Sequence, residues 1–160
     1  MIRHVRINWW GSMRFFIAGI IQGSIKELEI HSQEYRIRIR EMLKKHFPGA
    51  GVFCPIEHHP NSLHYAFEKG QRTFFDLMAR AGEADVLVAF LPEASMGTAI
   101  EMWEAFQHGR VVLAISPLKE NWVVKFLTDA VVNSLEDLED FITSGELDML
   151  IERKRSSRQQ

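Results

Sequence analysis

Apolar residues fall into two rhythms along this chain. Ala84 to Phe90 and Val111 to Ile115 are short apolar runs of the kind formed by strands buried on both faces. Between them, Pro92 to Gly97 is a loop of small residues, and Thr98 to His108 follows a helical period with Ala99, Met102, Trp103 and Phe106 as its apolar stripe. Two strands joined by a helix predict a parallel βαβ unit, because parallel neighbours need a crossover connection. Ligands of such sheets bind outside the carboxyl ends of the strands, which is where Ser95, Gly97, Thr98 and Glu101 fall.

The same alternation extends through the chain. Arg14 to Gly19 predicts the first strand, and the turn Gly19 to Ser24 leads toward a helix between about His31 and Phe47, on which Tyr35, Ile39, Met42, Leu43 and Phe47 recur at helical spacing. Pro48 to Gly51 ends that helix, and Val52 to Ile56 predicts the second strand. Glu57 to Gly70 is polar and aperiodic and predicts a loop or lid. A helix follows from about Thr73 to Gly82, with Phe74, Phe75, Met78 and Ala81 inward. Asn121 to Leu127, Ala130 to Asn133 and Ser134 to Ile142 predict a short helix, a last strand and a helix. Five strands interleaved with helices predict a doubly wound α/β fold with a parallel sheet and helices on both faces. One domain over residues 13–150 accounts for this pattern, with residues 1–12 as an N-terminal extension and residues 151–160 as a polar, frayed tail.

Composition narrows the function classes. With 46% hydrophobic and 25% charged residues and a formal charge of −2, the 160-residue chain has the make-up of a soluble globular domain without electrostatic pull toward nucleic acid. Arg36, Arg38, Arg40, Lys44 and Lys45 read as the solvated face of the first helix. The longest apolar runs fall far short of the ~20 residues that cross a bilayer, so no membrane partner is expected. A single cysteine, Cys54, excludes an internal disulfide and fits a reducing compartment, most simply the cytoplasm.

Several residues carry candidate chemistry, each with a structural alternative. Thr98 and Glu101 have the spacing of a capping box, in which Glu101 would tie off its own helix. Glu101, Glu104 and His108 otherwise share a face that meets solvent or a pocket. Thr73 and Asp76 repeat the cap pattern. Gly19-Ile20-Ile21-Gln22-Gly23-Ser24 could bring backbone amides to an anion, although it lacks the GxGxxG pattern and a Walker lysine. Glu57, His58, His59 and His64 lack metal-ligand spacing, and no metal is expected.

Three segments together carry a family likeness: Phe16-Ile17-Ala18-Gly19; Asp76 ahead of Ala84-Asp85-Val86-Leu87-Val88-Ala89; and Ser95-Met96-Gly97-Thr98-Ala99-Ile100-Glu101-Met102. Over about residues 14 to 142 the chain resembles the nucleoside 2-deoxyribosyltransferase superfamily, including its 2'-deoxynucleoside 5'-phosphate N-hydrolase-like members. The resemblance implies a flavodoxin-like sheet, a homodimer or higher homo-oligomer, and cleavage of the N-glycosidic bond of a small-molecule nucleoside or nucleotide without a cofactor. It implies Glu101 as nucleophile and Asp76 as the assisting acid. Gly19, Gln22, Gly23, Ser95, Gly97 and Thr98 would frame the sugar and any phosphate, and His58 would lie in the segment covering the base. The chain departs from the hydrolase branch at Ile20 and Gln22, where that branch carries a serine and an arginine. From the transferase branch it departs at Met96, Ala99 and Met102-Trp103. These departures motivate a second expectation, a non-catalytic nucleotide-binding or sensing module of the same fold.

Overall fold

The computed structural model describes residues 9–158. Of the expected N-terminal extension, residues 1–8 lie outside the described residues, as do Gln159 and Gln160 of the expected tail; Trp9–Ser12 form a 3-10 turn.

Five parallel strands form one sheet: β1 (Arg14–Gly19), β2 (Gly51–Phe53), β3 (Val86–Phe90), β4 (Val111–Ile115) and β5 (Ala130–Val132), in the order β2-β1-β3-β4-β5. This is the expected doubly wound, flavodoxin-like arrangement. β1, β3 and β4 are buried almost throughout, because helices cover both faces. On one face α1 (Glu34–His46), α6 (Leu135–Thr143) and α7 (Glu146–Ser157) bury Tyr35, Ile39, Leu43, Leu138, Ile142 and Leu147 against Phe15, Ile17, Val88 and Leu113. On the other, α3 (Phe67–Glu83), α4 (Met96–Gln107) and α5 (Trp122–Leu127) pack Ala81, Met102, Ala105 and Val124 on Phe16, Ala18, Leu87, Ala89 and Val112.

Several expectations are corrected. The second strand stops at Phe53 instead of Ile56, because Pro55 opens the one-turn helix α2 (Pro55–His58). The expected loop from Glu57 to Gly70 contains the end of that turn, a 3-10 turn at Ser62–His64 and the first turn of α3. α3 starts at Phe67, so Thr73 lies inside the helix and caps nothing. Met78 and Ala81 face inward as expected, but Phe74 and Phe75 are exposed. On α4, Trp103 and Phe106 are likewise half-exposed, and the buried stripe is Thr98, Glu101, Met102 and Ala105. The segment expected to fray from Glu152 is helical through Ser157, anchored just ahead by Leu147, Leu150 and Ile151.

Candidate functional site around Glu101

β1 lies between β2 and β3, so the chain leaves β1 toward α1 on one face and leaves β3 toward α4 on the other. Their carboxyl ends form a switch point, the usual ligand crevice of an open α/β sheet. Above it lies a depression of about 350 Å³ lined by Gly23 and Ser24 from the β1–α1 loop, Ser95, Met96 and Ala99 from the start of α4, and Asn121 from the start of α5. That volume is in the lower part of the range of roughly 300 to 1,000 Å³ usual for small-molecule pockets.

Two polar groups in this depression have donors to spare. Ser95 caps α4: its Oγ accepts from Thr98 N at 3.4 Å and from Thr98 Oγ1 at 3.0 Å. Its own O–H has no acceptor among the described residues. Asn121 caps α5 with Oδ1 on Val123 N at 3.0 Å, which leaves its amide N–H groups unengaged among the described residues.

Glu101 lies in the second turn of α4, and among the described residues it is the buried carboxylate, 8% exposed. Because Ser95 caps the helix, the expected capping box is absent and Glu101 reaches no cap amide. No hydrogen bond engages its carboxyl among the described residues. Burial pushes its pKa up to about 8, opposed by the charge of Arg36. It does not line the depression, although it stands on the helix whose first turn does.

Two residues of α1, Arg36 and Tyr35, were not singled out from sequence. Arg36, expected in the solvated face of α1, is 2% exposed and donates to the carbonyls of Ile17 at 2.7 Å and Gly19 at 2.9 Å. The signal was available: 36, 39 and 43 follow helical spacing, which places Arg36 on the buried stripe of Ile39 and Leu43. Tyr35 stacks on Phe90 at 4.2 Å and donates its hydroxyl to the Ile20 carbonyl at 3.0 Å. Burial holds its phenol neutral well above the ordinary tyrosine range.

No protein-family model and no curated protein sequence matches the chain. Solved structures do. A 2-deoxyribosyltransferase from Bacillus psychrosaccharolyticus superposes with a TM-score of 0.59 at 20% identity, over 79% of this chain and 90% of that one. BlsM superposes at 0.62 and 18% identity, over 89% of this chain and 94% of its own. A conserved protein from Enterococcus faecalis V583 superposes at 0.59 and 21% identity, over 83% and 98%. The chain has the 2-deoxyribosyltransferase-like fold.

Within this deoxyribosyltransferase-like fold the expected site residues separate into groups. Gly23 and Ser95 line the depression, and buried Thr98 braces Ser95. Gly19 ends β1 beneath Tyr35, while Gly97 and Gln22 are exposed and neither lines the depression. His58 is turned away: it stacks on Phe53 at 4.4 Å and faces a separate hollow of about 290 Å³ at the β2 edge, with Arg80. Asp76 sits exposed on α3, bonded to Arg80 at 2.8 Å, and does not join Glu101. His58, His59 and His64 do not converge; among the described residues no three such side chains form a metal-binding group. No helix among these residues is long and apolar enough to cross a membrane.

Proposed function

We propose that the protein cleaves or transfers at the N-glycosidic bond of a nucleoside, with Glu101 as nucleophile. The observation that carries this reading is Glu101 itself, a buried carboxyl that no hydrogen bond engages among the described residues, on the helix whose first turn lines a depression of about 350 Å³. A carboxyl tying off a helix or paired on the surface would be satisfied; this one is held in reserve. A solved 2-deoxyribosyltransferase shares this fold, which supports the reading.

In this reaction the Glu101 carboxylate attacks the anomeric carbon as the bond to the base nitrogen breaks. The bonding pair leaves with the base, which is protonated as it departs. Water or a second base then attacks the same carbon and releases the carboxylate. The transition state carries positive charge on the sugar, and a fixed carboxylate stabilises that charge more than it stabilises the neutral substrate. Ser95 O–H and the Asn121 amide supply donors to sugar or base oxygens. No charged side chain lines the depression among the described residues, which favours an uncharged nucleoside over its 5'-phosphate. Asp76 takes no part in this scheme.

The test is incubation with a panel of 2'-deoxynucleosides and their monophosphates, following free base for the parent and Glu101→Gln. Base release by the parent, abolished in Glu101→Gln, is expected. Turnover unchanged in that variant removes Glu101 from the chemistry.

The burial of Glu101 outside the lining of the depression also favours a second reading, a nucleotide-binding or sensing module without turnover. Calorimetric binding that persists in Glu101→Gln with no base released supports it. Phe74 and Phe75 on α3 and Trp103 and Phe106 on α4 stay exposed, which suits pairing of two copies as a homodimer, read by light scattering on a sizing column.

A further inference from the structure

The connection from β1 to α1 is longer than the roughly 2 to 6 residues usual between a strand and a helix, and its two ends are tied together. His31 N donates to the Ile21 carbonyl at 2.8 Å, and Gln33 Nε2 donates to the carbonyls of Ile20 at 3.2 Å and His31 at 2.7 Å. Ile20, 1% exposed, roots this neck: its N donates to Phe90 O at 3.2 Å and its carbonyl also accepts from the Tyr35 hydroxyl. A loop closed at its base in this way is an Ω-loop, a form that frequently serves a functional site.

The neck is also fastened to the next loop along the sheet. His31 Nε2, closed off from solvent, stands 3.2 Å from Glu93 Oε1 between β3 and α4, in ion-pair range though not aligned as a hydrogen bond. Gly23, which lines the depression, rests on this pair: a β-carbon there would stand 2.9 Å from both atoms, and its φ of +55° is one that glycine adopts freely. Beyond the neck the ties end. Within residues 22–30 the backbone hydrogen bond among the described residues is Ile25 N to Gln22 O at 3.0 Å, and residues 26–30 are all exposed. A segment so lightly held opens at little cost.

Its tip nevertheless carries Leu28, 63% exposed, and Ile30, 42% exposed. They alternate with Glu27 and Glu29, so the segment, drawn out, has one apolar and one acidic side. Small-molecule sites bury roughly 70 to 90% of their ligand. A depression with Gly23 and Ser24 on one wall becomes that enclosed when the tip attached to them comes down.

We propose that residues 22–30 are a lid: hinged on the neck that His31 and Glu93 clamp, the tip folds over the depression and lays Leu28 and Ile30 on the base of a bound nucleoside. The choice of occupant rests on the nucleoside reading of the depression. Closure excludes water from the sugar while the bond to the base breaks.

The experiment places spin labels on Glu27→Cys in the tip and Lys119→Cys in the loop between β4 and α5, whose Leu118 and Asn121 line the other wall. Both positions are exposed, and buried Cys54 takes no label. Double electron–electron resonance on the free protein is expected to give two distances between the labels. Each of the four common 2'-deoxynucleosides is then added in the Glu101→Gln background, and one that binds is expected to shift the population to the shorter distance. His31→Ala frees the neck and broadens both distances. Leu28→Ser is expected to leave the urea midpoint unchanged and to weaken nucleoside binding about tenfold. A single sharp distance in the free protein overturns the proposal. So does a nucleoside that binds by calorimetry without shortening the distance, or that Leu28→Ser binds as tightly as the parent. Two distances with none of the nucleosides bound uphold the moving tip and overturn the nucleoside reading from which its occupant was taken.

Discussion

Gly19 lies so close beneath Tyr35 that a β-carbon on it would stand 2.4 Å from Tyr35 Oη and 2.8 Å from Cε2. No side chain larger than hydrogen fits there unless the Tyr35 ring shifts, and that ring is held by its stacking on Phe90 and its hydrogen bond to the Ile20 carbonyl. The glycine at the end of β1 therefore permits the close approach of Tyr35 from α1.

Gly19→Ala is expected to lower stability by about 1 to 3 kcal/mol, the usual range for overpacking a filled interior. Tyr35→Phe removes the nearest atom, so the cost of Gly19→Ala should shrink in that background. A double-mutant cycle by urea denaturation reads the coupling. Full additivity of the two substitutions would show that the contact is not what makes Gly19 necessary.

Glu101 gives stability a particular dependence on pH. In the unfolded chain its carboxyl ionises near 4.5, whereas in the fold it holds its proton up to about 8. Between those values the native state binds a proton that the unfolded state has lost, so stability falls as pH rises from about 4.5 to about 8 and levels off above. Glu101→Gln removes this contribution. It should match the parent near pH 4 and exceed it at pH 9 by up to a few kcal/mol. Denaturation midpoints of both proteins at pH 4, 7 and 9 check this; a parent that gains on Glu101→Gln with rising pH would show that the carboxyl is stabilised as an anion.

The carboxyl end of the chain offers a sharper test of folding. Ile151 is 4% exposed in the core of the α1 face, and Lys154 Nζ meets Asp129 Oδ1 at 2.7 Å. A chain ending at Leu150 loses both and should be less stable by about 2 to 4 kcal/mol, most of it from the buried isoleucine. A polar tail would cost nothing measurable, so an unchanged urea midpoint refutes the packing.

What the sequence made readable follows from what burial does to it. β1, β3 and β4 are covered on both faces and read as apolar runs, and the loop before α4 stood out because a strand, small residues and a helix succeed one another there. The first two turns of α3 were hidden because Phe67 to Arg72 lie largely in solvent and bury no periodic stripe. α7 was hidden because Leu147, Leu150 and Ile151 precede a run of charges. Glu101 stood out by its spacing from Gly97 and Thr98, but its burial depends on how α4 turns against the sheet, which local spacing does not fix. Arg36 was lost because its charge argued against the buried position that its spacing assigned, and the cause of its burial, the early end of β2, is a tertiary event.

Asp76 separates likeness from geometry. Its spacing ahead of β3 suggested a second acid, yet it is half-exposed and engaged by Arg80 one turn along α3. Exposed pairs of this kind contribute about 0.5 kcal/mol or less. Asp76→Asn should therefore leave stability nearly unchanged and base release within about twofold of the parent, on any nucleoside that Glu101→Gln fails to cleave. A loss of tenfold or more in kcat at unchanged stability would mean that α3 shifts during the reaction to bring Asp76 to the sugar, and the single-carboxylate scheme would have to give way to a paired one.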